Sequence, residues 1–535
     1  MKTKYLNLRV LLASLVLVTF FTSCEGDLDV TPQDDQNTLA DEFFQNESAY
    51  LEVLASVYGN LALTGTDGAG SSNIQGLDAG TSQYGRTLLY MQTLSADQMI
   101  WSYENDPGTR EIQRNIWTTQ NPIFLGFWGR AHTSVAFANN LLRETTDAKL
   151  DERNVSAATR AEIVNFRAEA RLLRALSYYH LMDLFGKANF ITEDDALNTI
   201  PQVYDRAQLF AFVESELQAI NSDLVAPRQN QYGRADQAVA WMILSKMYLN
   251  AEVYIGQAKY TEALTELNKI LGGGFMLADE YAHNFMADND VNSAINEIIF
   301  PIGSDGLATQ NYGPGTVMIN GSVGSIEVNG AEVGVEPGGW GGALRVRKQF
   351  ADLFDGGLYS TDTRNTIISA GRTVNIIDIS DRDSGYIIQK YSNATSTGGF
   401  GIDQVFVDTD FPLFRLADVY LMYAEAVLRG GNGGDMNTAK GFIDALRTRA
   451  NNPNLVPVGD ITLEFILDER SRELHWEAHR RQDLIRYGLF TGGNYNWAWK
   501  GNGSNGIAIP LNYDLYPIPA ASLSSNPNLT QNPGY

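Results

Sequence analysis

Apolar side chains along this chain of 535 residues recur mainly three and four positions apart, the period of helices that bury one face. Residues 161–185 carry the clearest case. Ala168, Leu172, Ala175, Tyr179 and Met182 form one stripe and Phe166, Ala170, Leu173 and Leu184 another, so this segment is expected to pack on two sides. As a helix it would run about 37 Å at roughly 1.5 Å per residue, with Gly186 placed to end it. The stretch 235–271 repeats the style, with Trp241, Leu244 and Tyr248 on one helix, a break near Gly256, then Tyr260, Ala263, Leu264 and Leu267 on a second. The same spacing predicts helices over 43–60, 123–144, 207–224, 413–429, 435–450 and 462–487.

Two long regions break the period. Residues 61–122 and 273–410 are dense in Gly, Asn, Asp, Ser and Thr, with short β-leaning runs such as Ile298 to Ile302 and Val374 to Ile379. Loops of this length inside a compact protein usually carry function, so ligand contacts are expected there. The order Trp, Leu, Tyr, Gly, Tyr, Ala over 241–263 is similar to a tetratricopeptide helical hairpin with a longer turn. The expected fold class is mainly α: tetratricopeptide-like helical pairs over about 41–60, 123–272 and 411–490, two loop-rich insertions with short strands, and an extended segment over 491–535.

The first apolar run differs in kind. Lys2, Lys4 and Arg9 stand at the head of a run from Val10 to Phe21 with no acidic residue, followed by the small Thr22 and Ser23 and then Cys24. A membrane-spanning helix needs about 20 apolar residues, so this shorter run reads as a secretory signal over 1–23 that is cleaved before Cys24. Cys24 is the only cysteine. It is expected to be a lipid attachment point, palmitate included, with residues 24–40 as a polar tether and 41–535 as a single body; a free thiol or an intermolecular bridge is the alternative. Each buried methylene of an acyl chain contributes about 0.8 kcal/mol, and two chains anchor stably.

Charge narrows the partners. The net charge of −24 becomes −27 once Lys2, Lys4 and Arg9 are removed with the signal, a surface that repels nucleic acid and suits a neutral ligand. The 49 glycines, 25 tyrosines and 8 tryptophans are compatible with long aromatic-bearing loops.

Five ordered segments then carry a family resemblance: RAEARLLRALSYYHLMDLFG at 167–186, GRADQAVAWMILSKMYLNAEVY at 233–254, RLADVYLMYAEAVLR at 415–429, ILDERSRELHWEAHRRQDLIRYG at 466–488 and LYPIPAASLSSNPNLTQNPGY at the end. Together they resemble the SusD/RagB nutrient-uptake lipoproteins of Bacteroidetes across the whole mature sequence, with Ala478 standing where that family usually has Gly. The resemblance implies a surface-facing lipoprotein of the outer membrane that binds glycan, or in some members peptide, and hands it to a SusC-like TonB-dependent transporter. Glu25, Asp27 and Asp29 look like that family's surface-export signal.

Other motifs are weaker. His475 and His479, four apart with Glu477 between, could share a helical face and bind metal, but Trp476 breaks the zincin order and a salt-bridged buried helix is the better reading. Gly501, Gly503 and Gly506 spell a dinucleotide-loop pattern that Pro510, Pro517 and Pro519 deprive of its following helix. Asp288, Asp290 and Asn292 imitate a calcium loop, with Ser293 in place of its glycine and Ile299 in place of its closing glutamate. No serine elbow, zincin motif or free cysteine nucleophile appears, so a binding protein without cofactor or metal is expected rather than an enzyme. A surface glycoside hydrolase and a scaffold that holds other proteins remain alternatives.

Sugar rings present an apolar face that stacks on aromatic rings, so loop aromatics are the candidate contacts. Trp101 and Tyr103, near Asp97 and Asn105, come first, followed by Tyr84, Tyr312 and Trp340. Trp128, Trp241 and Trp476 fall in helical segments and are expected in the core, whereas Trp497 and Trp499 could face the transporter.

Overall fold

The computed structural model describes residues 40–324 and 328–535 in two units, residues up to Ala49 and the body Tyr50–Tyr535. The signal over 1–23, Cys24 and the tether up to residue 39 lie outside the described residues. In the first unit a single short helix, Ala40–Phe43, is described.

The principal helices are α1 (Ala49–Ala62), α2 (Tyr84–Leu89), α3 (Pro122–Glu144), α4 (Ala157–Phe185), α5 (Arg206–Ala219), α6 (Gln237–Leu249), α7 (Tyr260–Leu271), α8 (Pro314–Ser322), α9 (Leu416–Leu428), α10 (Met436–Arg449), α11 (Leu463–Leu474) and α12 (Arg480–Arg486). They pack as neighbours in sequence: α3 on α4, α4 on α5, α6 on α7 and α9 on α10, with α9 also touching α7 and α11. The double stripe of α4 is buried on both sides, from Ala168 to Phe185 almost without interruption. That helix starts four residues before the apolar pattern does, because Ser156 caps it by accepting from the Thr159 amide. Gly186, at φ +68°, ends it.

Short strands stitch the insertions to this frame. β1 (Met99–Trp101), β2 (Lys187–Phe190), β3 (Gln202–Asp205), β4 (Ile298–Ile302), β5 (Leu344–Val346), β6 (Ile367–Ile368), β7 (Ile387–Ile388) and β8 (Phe411–Arg415) form four two-stranded antiparallel ladders. β4 pairs with β8, so the long second insertion leaves and re-enters the frame at one place. β1 pairs with β5, Met99 opposite Val346 and Trp101 opposite Leu344, and this joins the first insertion to the second. Carboxylates replace regular structure between the strands. Asp408 accepts from the Gly306 amide at 2.6 Å and the Ile402 amide at 2.9 Å, Asp403 from Val405 and Phe406, and Asp288 from the amide and hydroxyl of Ser396. Of the calcium-like residues, Asp288 is therefore a loop staple, and Asn292 donates to the His283 carbonyl and to Asp288.

Several expectations are corrected. The segment 462–487 is two helices, α11 and α12, and the break falls at Trp476 (φ +61°) and Ala478 (φ +60°). Its cause is tertiary: Arg415 and Tyr281 take the Glu473 carbonyl, and Lys390 takes that of His475, so side chains of other segments bond the helix end in place of a further turn. The imidazoles of His475 and His479 consequently do not share a helical face; His475 Nδ1 meets the Arg472 carbonyl at 3.0 Å and His479 Nδ1 lies 3.1 Å from Lys246 Nζ. Val374 to Ile379 is a loop, with Ile376 and Ile379 packed on Ile100. Trp497 is fully buried and so faces no partner, and Trp499 lies half-buried beneath the Arg114 guanidinium, 4.4 Å from its ring. Trp128 and Trp476 are in the core, while Trp241 is half-buried with its indole N–H on Asn221.

The α11–α12 segment holds the strongest electrostatics. Arg364, Arg415, Arg447 and Arg449 surround Glu297, Glu469, Glu473 and Glu477 with almost no solvent contact. Buried charges of this kind survive only when each is paired and hydrogen-bonded. The same segment grips the chain ahead of β1: Arg480 makes a bidentate pair with Asp97 at 2.8 and 2.7 Å, and Gln98 reaches Ser471 at 2.9 Å.

Candidate functional site

β1 leaves the grip of α12 and delivers Trp101 to the edge of a cleft of about 350 Å³. Three devices fix that indole. Gln113 clasps the Trp101 backbone at both ends, accepting from its amide at 2.8 Å and donating to its carbonyl at 3.1 Å, like a strand one residue long. Asp106 accepts from the indole N–H at 2.8 Å. Gly321 on α8 leaves the necessary space, since a Cβ there would stand 2.9 Å from Trp101 Cζ3. Behind the strand, buried Arg347 donates to the carbonyls of Met99, Leu94 and Gln113, and burial pulls its guanidinium down to about 9.

The second wall comes from the other insertion, nearly 240 positions later. Trp340 sits in the run Gly338, Gly339, Trp340, Gly341, Gly342, with φ of +38°, +67° and +64° at Gly339, Gly341 and Gly342. Those values favour glycine, and they let the loop fold back so that the Trp340 amide bonds Asn320 and the Gly342 amide bonds Val323, each at 2.8 Å. Trp340 stands 5.9 Å from Trp101 at an interplanar angle of 87°. Tyr312, just ahead of α8, lies 6.5 Å from Trp340 at 37°. Tyr103 completes the group, 5.6 Å from Trp101 and 39% exposed.

The structure therefore gathers Trp101, Tyr103, Tyr312 and Trp340 into one cleft. It does not bring Tyr84, Asn105 or Asp97 there. Tyr84 belongs to α2 and is fully buried, with its hydroxyl 2.7 Å from His180 Nδ1; burial raises the phenol and pulls the imidazole down to about 3, so the pair is a neutral core hydrogen bond. Asn105 is exposed and does not line the cleft. Asp97 is 1% exposed, and its carboxylate is taken up by Arg480 and by the Tyr495 hydroxyl at 2.6 Å.

The polar rim was missed from the sequence. Asp78, Thr81, Arg86, Tyr90 and Asp106 face the same space. Asp106, five residues after Trp101 in a polar run, carries a visible signal; Arg86 and Tyr90 carry only a spacing of four, which becomes meaningful once the guanidinium is seen 5.3 Å from the Tyr90 ring. Tyr90 is 1% exposed, and its buried hydroxyl has the Arg86 guanidinium as its polar neighbour. Burial raises the Tyr90 phenol against the opposing influence of Arg86, so it stays a neutral donor. Stacking faces bordered by Thr81, Arg86 and engaged carboxylates can hold a neutral polyhydroxylated ligand. Both cleft carboxylates are committed to structure, Asp78 to the Thr81 amide at 2.9 Å and Asp106 to Trp101, which leaves no acid and base pair poised across the space. Among the described residues no group of three or more His, Cys, Asp or Glu is arranged to hold a metal.

Comparison with known proteins identifies the family and the fold. The sequence model of the SusD family matches residues 334–535. The chain is 33% identical to the Starch-binding protein SusD of Bacteroides thetaiotaomicron, with 100% of both chains covered. It is 26% identical to SusD-like protein P2 of Formosa agariphila over 97% of this chain and 98% of that one. Among solved structures, a laminarin binding SusD-like protein superposes with a TM-score of 0.67 at 22% identity, covering 92% of this chain and 100% of the other. Surface glycan-binding protein A from Bacteroides uniformis gives 0.67 at 21% identity, over 91% and 99%. These two likenesses establish the fold.

Proposed function

Because the chain belongs to the SusD family, we propose that it is a cell-surface binding protein that captures an oligosaccharide in the Trp101–Tyr312–Trp340 cleft and passes it to a SusC-like TonB-dependent transporter of the outer membrane. Its relatives are named as binding proteins, not enzymes. The observation that carries the proposal is the convergence of aromatic rings from two insertions onto one open space, across the β1–β5 ladder. Rings set at 87° and 37° to one another cannot all lie along a flat ribbon; they suit a chain that curves. The full-length relative is named for starch, whose α-linked glucose chain curves in this way, so an α-glucan is the first ligand to test.

Lipidation at Cys24 would hold the body at the membrane while the cleft samples glycan, and the strongly acidic surface favours a neutral cargo. The test is isothermal titration of the protein with maltoheptaose, a laminarin oligosaccharide and a peptide mixture. Saturable heat with maltoheptaose supports the reading; binding of peptides alone overturns it. Incubation with polysaccharide is expected to release no new reducing ends. Replacing Cys24 by Ser should move the protein from the membrane fraction to the soluble one, and an unchanged distribution would reject the anchor.

A further inference from the structure

Tyr103 is placed to do something other than stack on sugar. Its hydroxyl donates to the Trp340 carbonyl at 2.8 Å and accepts from Arg382 Nη1 at 3.1 Å, and the guanidinium lies 5.8 Å from its ring centre. Arg382 is exposed and lies outside the cleft. It rests directly on the Trp340 loop: a Cβ on Gly341 would stand 2.0 Å from Arg382 Nη1. The turn that presents Arg382 is itself fixed, since Arg345, on the strand that follows the loop, donates to the Ser384 carbonyl at 2.8 Å and to that of Asp381. Arg372 donates to the carbonyl of Arg382 itself.

We infer that Tyr103 and Arg382 form a latch that positions Trp340, and so sets the shape of the aromatic cleft, with Arg382 acting through Tyr103 rather than on the ligand. The inference rests on the glycan-binding reading of the cleft for its consequence, though not for its geometry. Three segments meet at one phenolic oxygen: the strand end carrying Trp101, the glycine-rich loop carrying Trp340, and the turn at 381–384. Glycines on both sides of Trp340 give its loop conformational freedom that the Asn320 and Val323 bonds restrain only from the α8 side. The latch restrains the opposite side. Because it is exposed, it adds little to global stability, but it keeps the binding-competent position of Trp340 populated, and apparent affinity scales with that population.

The experiment compares the wild type with Tyr103→Phe, Arg382→Gln and the double variant, in two measurements on the full chain. Without ligand, hydrogen exchange at the Gly341 and Gly342 amides should quicken about tenfold in each variant, with melting temperatures unchanged. With maltoheptaose, each single variant should bind about fivefold more weakly, as expected if the competent fraction falls to about one fifth, and the double variant no more weakly than either single. Weaker binding in Tyr103→Phe with Arg382→Gln unaffected would mean that the hydroxyl contacts sugar directly, and would overturn the latch. Unchanged exchange in both variants, or a double variant whose losses simply multiply, would overturn it as well. If the wild type binds no oligosaccharide, the glycan-binding reading fails while the exchange comparison still decides the latch.

Discussion

Replacing Asp97 by Asn tests how the helical frame holds the chain ahead of β1. The Asp97 carboxylate accepts two bonds from Arg480 and one from Tyr495, and all three groups are buried or nearly so. An amide keeps the shape but offers one acceptor and one donor, so an Arg480 N–H meets an N–H and the guanidinium is left buried without its counter-charge. Breaking a buried pair from one side costs about 3–5 kcal/mol. With an unfolding entropy of about 2.1 cal/mol/K per residue over roughly 490 residues, close to 1 kcal/mol/K, the melting point should fall by about 3–5 °C. A pH signature separates this cause from a generic packing loss. Burial pushes the Asp97 carboxyl up, but Arg480 and the hydroxyl of Tyr495 together hold it below its usual value of 3.8. A carboxylate depressed in the folded state stabilises above its unfolded pKa and loses that contribution as pH falls through the folded one. The gap between wild type and Asp97→Asn should thus be widest near neutrality and narrow as pH falls from about 3.8 through the lower folded value. Calorimetry across that range is the assay. A variant as stable as the wild type at pH 7, or a deficit that does not change with pH, would show that the Asp97–Arg480 pair does not hold this part of the frame.

Two further outcomes follow from the same frame. Glu473 is raised by burial but drawn down to about 2 by Arg449, Arg415 and Arg364, so its contribution of about 3 kcal/mol should vanish as pH drops from 4.5 toward 2; the Glu473→Gln variant should show a flatter acid limb in urea unfolding, and an unchanged limb would count against the paired-charge account. Gly126 on α3 faces the turn that carries Thr81 on the cleft rim, and a Cβ there would fall 1.6 Å from the Thr81 carbonyl oxygen. Gly126→Ala should therefore cost about 3 kcal/mol and weaken oligosaccharide binding about tenfold, and wild-type melting would contradict the packing described.

The helical frame was legible because its signal is local: the stripes of α4, α6 and α7 depend on residues three and four apart. The break between α11 and α12 was not, because Lys390 and Arg415, from distant segments, claim the carbonyls at which a helix would continue. Loop aromatics could be named from composition, but a single sequence carries no sign that β1 pairs with β5, and that pairing is what sets Trp101 opposite Trp340. Tyr84 shows the converse: a polar, glycine-rich neighbourhood suggested a loop, and the structure puts the ring inside a helix against His180. Trp497 likewise looked available and is wrapped by Phe490, Tyr495 and Lys500.

Titration of maltoheptaose into the wild type and into Trp340→Ala asks whether the aromatic cleft is where glycan binds. Trp340 is half-exposed and makes its hydrogen bonds through its backbone, so its removal reports on binding with little effect on folding, unlike removal of the 2% exposed Trp101. Saturable binding by the wild type is expected, with a loss of about 1–3 kcal/mol, roughly 5- to 150-fold, in Trp340→Ala and an unchanged melting point. Equal affinity in the two proteins would mean that glycan does not bind against Trp340.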